Sequence, residues 1–125
     1  MPLITFETGA PSSNASAELP ISKSLGVTSV LIFYSSIVGG QLWCPDCRAV
    51  DDLVKTTFEN SADKQGIIVY VGDRGVWRDA NNKYRKRWKI SSIPTLIRLD
   101  SEGKEHSRLV ESEITPDSLK AFLDD

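Results

Sequence analysis

Short apolar runs, separated by polar and amphipathic stretches, set the pattern of the chain. Three of them, at 28–34, 66–72 and 95–99, are rich in β-branched and aromatic residues, which is typical of strands buried on both faces of a mostly parallel sheet. A shorter run at Leu3–Phe6 predicts a first strand, and the small, polar residues at 9–17 predict a loop after it. The pattern therefore predicts one sheet whose central strands are joined through the stretches between them.

Three of the remaining stretches predict helices. Apolar residues between Val50 and Phe58 recur near the helical period, which predicts a helix from Pro45 to about Asn60. Residues 79–88 predict a second, polar and basic helix. A last helix is expected to begin with Thr115 as its N-cap and Pro116 at its first position. The central strands are thus connected through helices.

The rest of the chain predicts a loop and a hairpin. Residues 37–42 contain a glycine pair and are expected to form a loop, whereas 107–111 can pair with 95–99 across a turn at 100–103. This order of elements indicates an α/β fold with a central mixed β-sheet flanked by helices. No repeat or linker divides the chain, so we expect residues 1–125 to form a single domain.

Composition excludes several protein classes. The 125 residues are 40% hydrophobic and 26% charged with a net charge of −2, as in one compact domain, and this balance argues against a dedicated polyanion binder. No stretch approaches the ~20 apolar residues that span a bilayer, and the N-terminal residues lack the pattern of a signal peptide. We therefore expect a monomeric protein in the cytoplasm, without a membrane partner.

The two cysteines, Cys44 and Cys47, form a C-x-x-C pair between a predicted strand and a predicted helix. A disulfide between them closes a loop of four residues and stabilises the fold by only about 2 kcal/mol, so the pair suits a switch better than a structural crosslink. Zinc needs about four ligands, and beyond these two cysteines the chain offers only His106, far away in sequence. We therefore expect no metal.

The position of Cys44 at the N-cap of the helix favours thiol chemistry. Its sulfur is expected to accept hydrogen bonds from the backbone N–H groups of Asp46 and Cys47, and it lies at the positive end of the helix dipole. Both effects favour the thiolate, whereas a negative charge on Asp46 opposes it. Cys44 is thus the predicted nucleophile, and Cys47, one turn into the helix, is placed to attack the mixed disulfide that Cys44 forms.

Three separated motifs resemble the thioredoxin-like Clot family, within the thioredoxin fold. They are Trp43-Cys44-Pro45-Asp46-Cys47, the run from Val71 to Asn82, and Leu109–Glu113; Ile93-Pro94-Thr95 before a strand is a further feature of the thioredoxin fold. The resemblance implies a cytosolic disulfide reductase that acts on small disulfides such as cystine. It implies no bound cofactor, since electrons come from NADPH through thioredoxin reductase as partner.

The same resemblance assigns roles to the residues of the motif. It makes Cys44 the attacking thiol and Cys47 the resolving thiol, with Pro45 and Asp46 tuning the redox potential. Pro94 is implied to be a cis proline beside the site, where Ile93 also lies. Trp43, next to the nucleophile, is expected to shield the dithiol and shape its surface, although packing of the loop is the alternative.

The chain departs from ordinary thioredoxins in two places. Thioredoxins carry a buried aspartate in the strand before the dithiol, and alignment places Phe33 there. Asp46 or water would then have to take the proton of Cys47, although Asp46 serves equally well to stabilise the helix dipole. The loop at 37–42 is about five residues longer than in thioredoxins, so we expect it to narrow access to Cys44 and favour small disulfides; a tolerated insertion is the alternative.

A basic block at 74–89 leaves other functions open. It holds seven basic residues and one acidic residue, interleaved with Trp77, Tyr84 and Trp88. This mixture occurs on single-stranded nucleic acid surfaces, but a helix with its aromatic residues packed inward and its cations in solvent explains it better. Attraction of anionic substrates or of an acidic partner is a third option. The alternatives to the reductase are a glutathione-linked reductase or isomerase, and a redox-sensing interaction module.

Overall fold

The computed structural model describes residues 3–7, 28–60, 64–100 and 104–124. Its elements are β1 (Leu3–Glu7), β2 (Thr28–Tyr34), β3 (Ile37–Val38), β4 (Gln41–Leu42), α1 (Pro45–Glu59), β5 (Lys64–Tyr70), α2 (Arg74–Arg78), α3 (Lys83–Arg87), β6 (Thr95–Leu99), β7 (Glu105–Val110), a 3-10 helix (Glu111–Glu113) and α4 (Pro116–Asp124). The loop predicted at 9–17 lies outside the described residues, as do residues 101–103 of the predicted turn.

Five strands form the central mixed sheet, in the order β1-β5-β2-β6-β7. The strands β1 and β2 both pair parallel with β5, so that Ile67 lies between Ile4 and Leu31. The strand β6 runs antiparallel to β2 on its other side, and β7 continues antiparallel to β6. The predicted mixed sheet and terminal hairpin are therefore confirmed.

The strand β2 is the centre of the core because it has a partner strand on each side. Every residue from Ser29 to Tyr34 is buried. Phe33 packs with its ring centroid 5.7 Å from that of Tyr84 and 6.3 Å from that of Trp88. Tyr34 lies close enough to Asp51 of α1 for that carboxylate, together with burial, to raise its pKa far above the usual value. Successive residues of β2 thus contact different helices.

The helix predicted over 79–88 is shorter than expected: α3 covers only Lys83–Arg87, residues 79–82 are not helical, and a separate short helix, α2, ends before them. Asp73 caps α2 by accepting from the Val76 N–H at 3.0 Å. The side-chain oxygen of Asn82 caps α3 by accepting from Tyr84 N–H at 2.9 Å. Its Nδ2 also donates to the Val71 carbonyl at 3.0 Å. Short polar side chains favour caps over helix interiors, so Asn82 begins a new helix instead of continuing the first.

Three further boundaries differ from the predictions. Residues 37–42 form a two-stranded hairpin, since Gly39 (φ 67°) and Gly40 (φ 88°) both take the positive φ values of a tight hairpin turn. The strand predicted at 66–72 is β5, which runs from Lys64 to Tyr70. It does not include Gly72, whose positive φ of 118° differs from that of an extended strand. The strand predicted at 107–111 is β7, which ends before Glu111 because that residue also has positive φ.

Both long helices begin where the sequence predicts. Helix α1 starts at Pro45 and ends with Asn60 as its C-cap. Helix α4 starts at Pro116, and the Thr115 hydroxyl accepts from the Ser118 N–H at 3.1 Å, as an N-cap does. Among the described residues, no helix has both the length and the apolar character needed to cross a membrane.

Candidate active site

The two cysteines lie at the N-terminus of α1, directly beyond the hairpin β3–β4. Cys44 is the N-cap residue, as predicted, with an extended backbone, and Cys47 is in the first turn. Both are free thiols. The exposed fraction of Cys44 is 8%, whereas that of Cys47 is 0%. Both cysteines are therefore buried, and Cys44 is the more accessible of the two.

The thiol of Cys44 does not make the hydrogen bonds that the sequence predicts. Its sulfur accepts no N–H from the helix, so the predicted bonds from Asp46 and Cys47 are wrong. Instead, its carbonyl accepts from the N–H groups of Cys47 and Arg48, both at 3.1 Å. The thiol points toward β6 and donates to the Ile93 carbonyl at 3.9 Å. Backbone hydrogen bonds therefore close the first turn of α1, and the Cys44 sulfur contacts the segment before β6 instead of the helix.

The sulfur of Cys47 lies against Ser35, the first residue after β2. The Ser35 N–H donates to this sulfur at 3.5 Å. Burial raises the pKa of the Cys47 thiol far above its usual value, and the nearby Cys44 raises it further. Hydrogen bonds from the Ser35 backbone and side chain act in the opposite direction and lower it. Cys47 is thus a buried thiol that burial tends to keep protonated, while the hydrogen bonds from Ser35 favour its ionised form.

Ser35 and Ser36 connect the dithiol to the rest of the fold. The Ser35 hydroxyl accepts from the Cys44 N–H at 3.1 Å. Ser36 exchanges two bonds with Gly72: its N–H donates to the Gly72 carbonyl at 3.2 Å, and its hydroxyl accepts from the Gly72 N–H at 2.9 Å. No role was predicted for Ser35, Ser36 or Gly72 from their sequence context. A serine pair directly after a buried strand was the only available signal.

Trp43 is held by the same group of residues. Its indole N–H donates to the Gly72 carbonyl at 2.9 Å, and its backbone N–H donates to the Ser36 carbonyl at 3.4 Å. The guanidinium of Arg74 lies 4.8 Å from the centre of its ring. Trp43 therefore packs the loop, and its expected role in shielding the dithiol stays a prediction.

The structure brings Ile93 and Pro94 to the dithiol, although they are about fifty positions away in sequence. The Ile93–Pro94 peptide bond is cis, as predicted. Both residues are buried, and the Ile93 carbonyl is the group that the Cys44 thiol contacts. The Pro94 carbonyl accepts from the Glu111 N–H at 2.8 Å, which fixes this segment to the end of β7.

The two residues between the cysteines face solvent. Pro45 and Asp46 are exposed on the first turn of α1, whereas Cys47 is buried. The predicted role of Asp46 as proton acceptor therefore stays a prediction, as does redox tuning by both residues. Phe33 is buried between the rings of Tyr84 and Trp88, so this position supplies no carboxylate to the dithiol.

Two of the three aromatic residues of the basic block are buried, and Trp88 is half-buried. Tyr84 is fully buried, and Trp77 is 6% exposed. The guanidinium of Arg85 stacks 3.9 Å from the centre of the Trp77 ring and donates to the Trp77 carbonyl at 2.6 Å. Because these rings face the core, they offer no free surface on which bases stack. The arrangement favours the interpretation of inward aromatic residues and solvated cations.

A metal centre has no support within the part of the chain that the structure describes. No group of three or more histidine, cysteine, aspartate or glutamate residues there could hold a metal ion. His106 is exposed on β7, where its ring contacts the Ser107 hydroxyl at 3.2 Å. The chemistry of the site is therefore that of its two thiols.

Comparison with known proteins matches most of the chain to one family. The sequence model described as "thioredoxin domain-containing protein 17-like, thioredoxin domain" matches residues 15–125. Thioredoxin domain-containing protein 17 of Homo sapiens is 33% identical over 91 residues, covering 71% of this chain and 70% of that protein. The Mus musculus protein of the same name is 36% identical over 85 residues, covering 67% of this chain and 66% of its own length, just under two thirds. Thioredoxin-like protein Clot of Arabidopsis thaliana is 36% identical over 67 residues, covering 51% of this chain and 50% of the other.

Solved structures share the fold at lower sequence identity. Thioredoxin NaTrxh of Nicotiana alata superposes with a TM-score of 0.63 at 20% identity, covering 98% of this chain and 90% of that one. The thioredoxin of Fasciola hepatica gives a TM-score of 0.59 at 19% identity, covering 79% of this chain and 80% of that one. The predicted thioredoxin fold is confirmed by these superpositions.

Proposed function

Because this chain belongs to the thioredoxin domain-containing protein 17-like family of thioredoxin domains, we propose that it is a disulfide reductase whose dithiol is Cys44 and Cys47. The family supports the broader role of a thiol–disulfide oxidoreductase. The observation that carries the proposal is the pair of free thiols at the N-terminus of α1, of which Cys44 is the more accessible and Cys47 is fully buried.

The proposed reaction consists of two exchange steps. The Cys44 thiolate attacks one sulfur of the substrate disulfide, which forms a mixed disulfide and releases the other half as a thiolate; this thiolate takes up the proton that Cys44 gave to solvent when it ionised. The Cys47 sulfur then attacks the Cys44 sulfur, so that the Cys44–Cys47 disulfide forms and the bond to the substrate breaks. The electron pair leaves with the substrate sulfur, which takes up the proton that Cys47 loses. Two electrons have then passed from the dithiol to the substrate.

We propose that small disulfides such as cystine are its substrates and that thioredoxin reductase, with NADPH, restores the dithiol. Arg74 supports the choice of substrate, because its positive charge lies over Trp43 beside the nucleophile. A cation in this place can pair directly with one of the carboxylates that cystine carries. A reducing compartment such as the cytoplasm suits this activity, since thiols stay reduced there. We propose that the protein acts as a monomer without a bound cofactor.

The hairpin β3–β4 is the proposed cause of the restriction to small disulfides. Two aliphatic side chains, Ile37 at 54% and Val38 at 51% exposure, project from it. The pairing of Ile37 with Leu42 fixes its base next to Trp43. Deletion of residues 37–41 should raise turnover of a protein disulfide such as that of insulin while cystine turnover is kept. The length-matched control replaces Ile37 and Val38 with serine, and an equal gain from this control would show that apolar surface, not bulk, sets the restriction.

The proposed function is tested by NADPH consumption with thioredoxin reductase and catalytic amounts of this protein, with cystine and insulin as parallel substrates. We expect rapid turnover of cystine, little of insulin, and loss of both in Cys44→Ser. Turnover that requires glutathione and glutathione reductase instead would favour the glutathione-linked reductase. No turnover by either route, with a Cys44–Cys47 disulfide that dithiothreitol still reduces, would favour the redox-sensing module.

A further inference from the structure

Ser35 makes a hydrogen bond to each of the two cysteines. It follows the last residue of β2, so its N–H is free of the sheet and donates to the Cys47 sulfur at 3.5 Å. Its hydroxyl accepts from the Cys44 N–H at 3.1 Å. A hydroxyl that accepts this bond still has its own hydrogen to donate. Ser35 is also completely buried, so no water competes for these groups.

The resolving step needs such a group in this chain. Cys47 is fully buried, and an unassisted thiolate there is strongly disfavoured. The strand β2 contains no acidic residue, and Phe33 of that strand turns toward Tyr84 and Trp88. Asp46 is exposed on the first turn of α1. Hydrogen bonds from the backbone and the side chain of Ser35 both favour the ionised form of Cys47.

We infer that Ser35 is a catalytic residue of the resolving step, in which its N–H and its hydroxyl both donate to the Cys47 sulfur and stabilise the thiolate that attacks Cys44. This inference rests on the proposed order of attack, with Cys44 first and Cys47 second. In the resolving step the Cys47–Cys44 bond forms, the bond from Cys44 to the substrate breaks, and the proton of Cys47 ends on the departing sulfur. Ser35 exchanges no proton; it holds the negative charge on Cys47 until the new bond forms.

The expected size of the effect follows from two opposing factors. A hydrogen bond to a charged group changes the thiolate population roughly 10- to 150-fold. A thiolate of higher basicity is also the better nucleophile, which offsets the lost rate of the resolving step by about 3- to 10-fold. Loss of the Ser35 hydroxyl should therefore slow the resolving step about 4- to 15-fold, while the backbone N–H continues to act.

The test follows the reaction of the reduced protein with excess 5,5′-dithiobis(2-nitrobenzoic acid) in a stopped-flow instrument. Attack by Cys44 releases a first equivalent of thionitrobenzoate, and attack by Cys47 releases a second. The variant Cys47→Ser identifies the second phase by its absence. We expect Ser35→Ala to slow the second phase about 4- to 15-fold and the first less than twofold, and Ser35→Thr, which keeps the hydroxyl, to recover most of the loss. The matched control is Ser29→Ala, at a second buried serine that lies within β2, which should change neither phase.

Two results would overturn the inference. An unchanged second phase in Ser35→Ala would show that the hydroxyl does not help Cys47. Equal slowing of both phases would show that the Ser35 hydroxyl only positions Cys44, by accepting the hydrogen bond from the Cys44 N–H. The stopped-flow assay contains neither thioredoxin reductase nor cystine, so its result can be interpreted even if the NADPH assay shows no turnover. Conversely, a normal NADPH assay with an unchanged second phase would keep the proposed function and remove the role of Ser35.

Discussion

Replacing Gly72 with alanine is expected to destabilise the protein and disturb the loop that carries the dithiol. The φ angle of Gly72 is 118°, which residues with a side chain rarely adopt. A Cβ atom at this position would lie 2.5 Å from Cγ1 and 2.7 Å from Cβ of Val76. Rotation of the Val76 side chain moves Cγ1 but not Cβ, so the backbone has to shift.

The magnitude follows from these two contributions. A residue held at such a φ costs about 1–3 kcal/mol, and overpacking costs about 1–3 kcal/mol more. We therefore expect the free energy of unfolding to fall by about 2–6 kcal/mol, out of a total that is about 5–15 kcal/mol for a typical domain. The Gly72 carbonyl also accepts from the N–H of Ser36 and the indole N–H of Trp43, so the backbone shift should move Trp43.

Urea unfolding followed by tryptophan fluorescence measures this change, with Gly75→Ala as the matched control. A Cβ at Gly75 meets no atom closer than Asp73 Oδ1 at 3.6 Å, and Gly75 lies within a helix, where alanine is favoured by about 0.5–1 kcal/mol. Gly75→Ala should therefore leave stability unchanged or raise it slightly. If Gly72→Ala unfolds within about 0.5 kcal/mol of the wild type, the argument from φ and from contact with Val76 is wrong.

Three further predictions concern stability. Burial keeps Cys47 protonated in the folded protein, whereas an unfolded cysteine ionises above about pH 8.5. The free energy of unfolding of the reduced protein should therefore fall as pH rises beyond that value, by about 1 kcal/mol between pH 9 and 10. In urea titrations, the free energy of unfolding of Cys47→Ala should fall with pH by that much less, and equal slopes for the two proteins would contradict the prediction. Asn82→Ala removes the N-cap of α3 and the hydrogen bonds of Asn82 to two backbone carbonyls, so it should lower the free energy of unfolding in urea by about 2–4 kcal/mol. The control Asn81→Ala, at the exposed neighbouring residue, should lower it by less than about 0.5 kcal/mol, and similar losses in both variants would refute the stabilising role of Asn82. Thr115→Ala should cost about 1 kcal/mol by loss of the α4 N-cap, with Thr115→Ser retaining most of it, and a loss from both variants would point to another cause.

Local signals in the sequence were sufficient for much of the fold and for the position of the dithiol. The β-branched run of β2 predicts a central strand, and Pro45 marks the first position of α1. The spacing of Cys44 and Cys47 places them one turn apart on that helix. Each of these features depends on residues within one element, where periodicity and capping preferences act directly. The basic block shows the limit of this reasoning, because Asn82 interrupts a segment whose composition resembles one helix.

The order of the elements, the mixed sheet and the two sulfur atoms at a helix N-terminus can therefore be predicted from the residues alone. The surroundings of those atoms come from tertiary packing: the Cys44 thiol contacts the Ile93 carbonyl, the Cys47 sulfur contacts Ser35, and the Trp43 indole contacts the Gly72 carbonyl. These contacts join β2, β6 and the segment after β5 to the start of α1. Hydrogen bonds between groups 12 to 49 positions apart depend on how strands and helices pack, and no local pattern of residues specifies that packing.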